Sequence, residues 1–256
     1  MHPFVALLPT HRAAARLAGC LALAALLSTL PAQAQSLCSS AGVTPPPALL
    51  ERFVSADCAS CWTDPATPPT PADALALDWI MPTSAGEAAP LSAVARRDTL
   101  ERLEALQLAP PTSQSSHTPR VLGWPGASLR VEHGVAVGRY VGASIELTLP
   151  ARAAVRWPLH AWLGLVESLP AGTEGSPVPR DLVRNTLQPI WNLGDALLNS
   201  EQMSFKEFRA MNLPEGASFE RLHLVGWVQD GNGQVGVAAV SSCPPEDNAP
   251  TEPQPQ

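Results

Sequence analysis

Two cysteines separated by two residues carry the clearest chemistry in this chain. Cys58 and Cys61 stand in "SADCASCWTDPATPPTP", residues 55–71. A cysteine that opens a helix is a candidate thiolate, because the first amides and the helix dipole favour negative sulfur and depress its pKa. The second cysteine, one turn on, then attacks a mixed disulfide and releases the substrate. That logic needs the first sulfur exposed and the second shielded, so Cys58 is the candidate nucleophile and Cys61 the resolving thiol. Asp57 works against this, since a neighbouring carboxylate raises a thiol pKa. A permanently closed structural disulfide and a metal clip are the competing readings. A single C-x-x-C supplies only two ligands, and the nearest third, His117, lies in a loop.

Three further cysteines decide how this pair is read. Cys20 lies in an apolar run, "LAGCLALAALLSTL", that is too short to span a bilayer. Arg12 and Arg16 precede the run, and Ala32-Gln33-Ala34 follows it, so residues 1–34 read as a signal peptide cleaved after Ala34. "LAGC" also has the form of a lipoprotein box, with acylation at Cys20. Such a box should end the apolar stretch, whereas here it begins it. Export leaves four cysteines, Cys38, Cys58, Cys61 and Cys243, and an even number in an oxidising compartment favours pairing. Three connectivities are open. Cys38–Cys243 with Cys58–Cys61 is the simplest, and it ties the two ends of the chain together. In an alternative, Cys38 resolves a disulfide with the active pair.

The 256 residues suit one large domain or two small ones. The leader carries two arginines and no acid, so its removal takes the formal charge from −7 to −9. An acidic chain of this kind does not favour nucleic acid or an anionic membrane, and no segment of the mature chain is long enough for a membrane span. Proline, with 28 residues, exceeds its usual share of ~5% and predicts short, broken elements.

The elements around the cysteines follow from local pattern. "ALLERFVSA" (48–56) predicts a strand that ends at the dithiol, and "ALALDWIM" (74–81) a second. Any helix opened at Cys58 must stop near Asp64, ahead of Pro65, Pro68, Pro69 and Pro71. The best helical pattern starts at Ser92 as cap. Its apolar face is Val94, Leu100, Leu103 and Leu106, its wet face Arg96, Arg97, Asp98, Glu101 and Glu104, and it ends before Pro110-Pro111. From "ASIELTLP" onward the segments are extended and often alternate. "QDGNGQ" (229–234) predicts the turn of a closing hairpin. Trp79, Trp124, Trp157, Trp162, Trp191 and Trp227 fall on strand-like or turn stretches and read as core or inter-sheet contacts, while Trp62 reads as core or rim of the dithiol. Residues 244–256 form a polar, proline-rich tail with the composition of a disordered segment.

A dithiol of this kind gains force from a proline loop facing it, and Thr118-Pro119 in "HTPRVLG", after the long helix and before a strand, is the candidate for a cis bond. With both motifs in view, "LERFVSADCASCWTDPATPPTPAD" and "SHTPRVLGWPG", the chain resembles exported bacterial thioredoxin-like proteins of unassigned function. "LGLVES", "RDLVRNTLQPIW" and "LHLVGWVQDGNGQVGVAA" resemble that family's later strands. The resemblance implies a thioredoxin-like domain with an appended β domain. The sequence departs from the family pattern where Trp62-Thr63-Asp64 follows the second cysteine in place of proline and a continuous helix.

The expectation is therefore an α+β protein: a thioredoxin-like domain at 35–134, followed by an antiparallel β-sandwich at 135–243. Its function would be periplasmic thiol–disulfide exchange through Cys58, Cys61 and Pro119, acting on a protein thiol or disulfide, with no cofactor and no metal. The alternative is a non-enzymatic envelope binding module in which both disulfides brace the fold, and a third reading is copper handling. No Ser-His-Asp order with a nucleophile elbow, paired acids or phosphate-cradling glycine loop is present.

Overall fold

"LLERFVS" and "LALDWIM" are apolar at most positions rather than at alternate ones, the pattern of strands covered on both faces. In the computed structural model, which describes residues 38–199 and 201–243, they form β2 (Leu49–Ser55) and β3 (Leu75–Met81). These pair in parallel from Leu49↔Leu75 to Ser55↔Met81. One helical turn, α1 (Ala59–Trp62), lies between them. The prolines after it remove donors and keep the rest of the crossover out of helix. After α2 (Asp98–Ala105), β4 (Gln114–His117) returns antiparallel against β2.

The remaining elements are β1 (Cys38–Ser39), β5 (Ser128–Val137), β6 (Tyr140–Pro150), β7 (Leu159–Leu169), β8 (Arg180–Leu187), β9 (Ile190–Trp191), β10 (Leu197–Leu198), β11 (Gln202–Asn212), β12 (Leu222–Gln229) and β13 (Val235–Val240). They build two sheets. One is antiparallel, in the order β1-β5-β6-β11-β10. The other is mixed, in the order β13-β12-β7-β8-β3-β2-β4, with β9 on β7. As the turn residues predict, β12 and β13 form a hairpin.

Three buried clusters hold these layers. Val131, Ile145, Leu147 and Phe205 of the antiparallel sheet meet Leu163, Leu224 and Val237 of the mixed sheet. The approach is close: a Cβ on Gly226 would come within 2.5 Å of Val131 Cγ1. The opposite face of the mixed sheet buries Phe53, Trp79, Trp162 and Trp227 beneath Leu103 of α2. A third cluster packs Val54, Ile80 and Leu182 under Cys61 and Trp62. Tryptophan is thus a core residue here, as its placement in the sequence predicts.

A thioredoxin-like α+β domain followed by a sandwich is not what forms. The described residues hold two short α-helices and thirteen strands. β2, β3 and β4 lie in the same sheet as β7, β8, β12 and β13, because β3 pairs with β8 at Asp78↔Leu182. The boundary drawn at Gly134 falls inside β5, and the described residues belong to one compact unit. The segment read as a helix from Ser92 is broken. Ser92–Val94 is a separate 3-10 turn, Ala95 is extended, and α2 begins only at Asp98. Asp98 is also not simply a solvated residue, since its carboxylate accepts from the Thr186 N–H and hydroxyl. No helix of the described residues is long and apolar enough to cross a membrane. The leader, its cleavage after Ala34, Cys20 and the tail at 244–256 lie outside the described residues.

Candidate functional site

The strand β2 ends at Ser55, and the chain turns at once into α1 with Cys58 at its N-cap. The two ends of this turn are fixed separately. Upstream, Ala56 N–H donates to Met81 O at 2.9 Å and Cys58 N–H to Ser55 O at 2.9 Å. Downstream, the Cys61 and Trp62 carbonyls accept from Arg180 Nη2 at 3.2 and 3.1 Å, and the guanidinium lies 4.9 Å from the Trp62 ring centroid. Trp62 Nε1 donates to Glu174 O at 2.8 Å. Trp62 is therefore buried core that also carries the turn.

Cys58 and Cys61 are joined as a disulfide. Their environments differ. Cys61 is 8% exposed, whereas Cys58 is half-buried at the surface. Cys61 N–H donates to Cys58 Sγ at 3.2 Å, and Ser60 Oγ lies 3.5 Å from the same sulfur. Asp57 is exposed next to Cys58, and its carboxylate accepts from Thr83 Oγ1 at 3.0 Å.

Beneath the turn sits a buried charge cluster. Asp78 Oδ1 and Oδ2 accept from Arg52 Nε and Nη2, both at 2.8 Å, and Arg180 Nη1 is 3.4 Å from Oδ1. Asp181 N–H donates to Asp78 Oδ2 at 2.9 Å. Burial lowers the Arg180 pKa, while the charge of Asp78 opposes that shift. Burial also raises the Asp181 carboxyl. Arg180 thus joins the dithiol turn to β3 and β8.

Pro119 is not part of this site. Leu49 N–H donates to Pro119 O at 3.1 Å, which sets the proline at the start of β2, while the cysteines lie past its end. Seven residues of strand separate them, roughly 20 Å at ~3.3 Å per residue. Among the described residues the cis peptide is Trp157–Pro158, so the cis bond assigned to Thr118–Pro119 is corrected to trans. The reason is the sense of pairing. β4 runs antiparallel to β2 with Val54↔Gln114 and Glu51↔His117, so its beginning, not its end, reaches the dithiol. His117 leaves the cysteines for the same reason and is not a third ligand for them. Ser113, just after Pro110-Pro111, accepts from Ser55 N–H at 2.7 Å and occupies the place expected of Pro119.

Beside it is a groove of 320 Å³, lined by Arg52, Val54, Thr67, Gln114, Ser116 and Arg180 among others. β4 ends the strand order of the mixed sheet, so its outer edge has no partner strand among the described residues. Sequence reasoning missed Ser113, Thr83 and Arg180. A signal for the buried cluster was present, because Arg52 and Asp78 each interrupt an apolar run and become direct partners in the β2–β3 register.

The second pairing also forms as expected: Cys38 and Cys243 are joined as a disulfide across 205 residues. The chain matches no family model, and a search of curated proteins finds no match. Among solved structures it is similar to HBP35 of Porphyromonas gingivalis, with a TM-score of 0.49 and 10% identity over 84% of this chain and 80% of that one. At that level the similarity assigns neither fold nor activity.

Proposed function

We propose that this is an exported thiol–disulfide exchange protein that works through Cys58 and Cys61. The observation that carries the reading is the asymmetry of the pair: Cys58 reaches the surface, while Cys61 is buried and its carbonyl is held by Arg180. The N–H of Cys61 and the Ser60 hydroxyl sit where a Cys58 thiolate would need donors. Two disulfides within one chain fit an oxidising compartment outside the cytoplasm.

The exchange follows from the arrangement. A substrate thiolate attacks Cys58 Sγ, the Cys58–Cys61 bond breaks, and Cys61 leaves as the thiolate and takes a proton. The substrate's second thiol loses its proton and attacks the mixed disulfide, so the Cys58 thiolate departs and is protonated. The substrate is oxidised to its disulfide, and two electrons and two protons reside on Cys58 and Cys61. The free edge of β4 offers a substrate chain main-chain pairing beside the dithiol, the role that Pro119 cannot fill.

Trapping tests the proposal. Cys61→Ser leaves a Cys58 thiol that should attack a disulfide-bonded peptide, release one peptide sulfur as a thiol and accumulate the mixed disulfide, while Cys58→Ser should accumulate none. Run in reverse with dithiothreitol as the electron source, the wild type should speed insulin reduction, and Cys58→Ser should lose that acceleration. A wild type without turnover and a Cys61→Ser variant that traps nothing would overturn it. The second reading, an envelope binding module, is favoured by exposed Phe208, Tyr140 and Val137 on the outer face of the antiparallel sheet, and it survives that negative result.

A further inference from the structure

A second group of ligand atoms lies far along the chain from Cys58. Cys38 in β1 stands directly opposite His133 in β5, and Ser39 bridges Ser242, so Cys243 arrives beside Cys38. Opposed strand positions bring side chains to ~4.5–5.5 Å at Cβ. Both sulfurs and a ring nitrogen of His133 lie within 4.8 Å of one another. His133 is 1% exposed, and its Nδ1 is 3.1 Å from Gly134 O. That contact leaves Nε2, which is buried and has no hydrogen-bond partner among the described residues. An unpartnered buried nitrogen costs ~1–3 kcal/mol, so it calls for an explanation. The ring edge is also held by Phe219, at 6.1 Å between centroids.

We infer that Cys38, Cys243 and His133 form a redox-gated site for a thiophilic cation, zinc(II), which is closed while the disulfide stands and opens on reduction. Two thiolates and one imidazole are a zinc donor set, and three protein ligands leave a fourth position for water. Bonds of ~2.0–2.3 Å in a tetrahedron set donor atoms roughly 3.3–3.8 Å apart, within reach of the present spacing. A carbonyl on Nδ1 with Nε2 left free is the arrangement that orients a ligating histidine. Cys243 is exposed and supplies the route of entry, while Cys38 and His133 are buried. The chemistry balances. An external thiol or phosphine reductant gives two electrons to the Cys38–Cys243 bond and is itself oxidised. The two sulfurs take up protons as thiols and release them when zinc forms its two sulfur bonds.

The test uses the full chain with Cys20→Ser, Cys58→Ser and Cys61→Ser, so that Cys38 and Cys243 are the only thiols. After phosphine reduction, titration with cobalt(II) should give a thiolate-to-metal charge-transfer band that saturates at one ion per chain, and zinc chloride should displace it. The oxidised protein should give no band. His133→Gln should weaken zinc binding at least about tenfold, measured against a chromophoric chelator, and Cys38→Ala with Cys243→Ala should abolish it. A reduced protein with no band, an unchanged affinity in His133→Gln, or equal binding by the oxidised form would each overturn the inference. So would loss of the β-sheet circular dichroism on reduction that zinc does not restore, because the site would then not be preformed.

Discussion

At the scale of single residues, the nucleophile sits between opposing influences. The Cys61 N–H and the Ser60 hydroxyl favour a thiolate at Cys58, while the neighbouring Asp57 carboxylate disfavours it. Asp57→Asn removes the carboxylate and leaves the turn, so the reduced protein should be alkylated at Cys58 several-fold faster near neutral pH. The pH–rate profile with iodoacetamide, read by peptide mass, checks this, and Cys61 should react after Cys58. A second residue sets a pH response for the whole fold. Burial, and then the nearby charge of His133, lower the His223 pKa to about 4. Its Nδ1 lies 3.4 Å from the Ser168 hydroxyl, which donates to Asp181. The unfolded chain takes up this proton near the ordinary histidine value and the folded chain refuses it. Stability is therefore fully present above pH ~6.5 and declines as pH falls toward 4, by ~3 kcal/mol for this group. His133, lowered mainly by burial, acts in the same direction. Urea unfolding from pH 7.5 to 4.5 should show the decline, and His223→Gln should flatten it.

At the scale of elements, Arg180 ties β8 to β3 through Asp78 and to α1 through two carbonyls. Arg180→Met should cost ~3–5 kcal/mol in urea unfolding, since it leaves a buried carboxylate with one partner fewer. It should also speed alkylation of reduced Cys61, whose turn loses its anchor. Arg180→Lys keeps the charge without the planar fork, so it should recover only part of either effect. This tie also marks where sequence reading stopped. β2, β3 and the β12–β13 hairpin were legible because apolar runs and turn residues are local signals. The β3–β8 pairing was not, because it spans about a hundred residues and rests on one register position, Asp78↔Leu182. Its trace was a carboxylate and an arginine, Asp78 and Arg52, inside runs otherwise read as core. The dithiol was legible in the same local way. Its neighbour was not: Pro110-Pro111 reads as a helix stop, and nothing local tells that Ser113 rather than Pro119 meets the end of β2. The sense of β4 against β2 is a tertiary choice, and it moves the loop from one end of the strand to the other.

At the scale of the whole molecule, the two disulfides should behave unequally, and that inequality separates a working pair from a clasp. Cys38–Cys243 spans 205 residues, while Cys58–Cys61 spans 3. In the chain-entropy account the first restrains the unfolded chain by ~5 kcal/mol and the second by only ~2 kcal/mol. The contacts point the same way. β1 is two residues long and is held by β5 and the Ser242 bridge, so the long-range disulfide fastens both ends of the described chain. The short one lies in a turn already fixed by Arg180 on one side and by Met81 O on the other. Cys38→Ala with Cys243→Ala should therefore lower the unfolding free energy by several kcal/mol, and Cys58→Ser with Cys61→Ser by ~2 kcal/mol or less. Urea titrations of the two double variants decide the point. If opening the short pair proves as costly as opening the long one, Cys58–Cys61 is held closed by the fold and cannot cycle. A small cost leaves the pair free to break and re-form while the two sheets stay intact, which is what exchange at Cys58 requires.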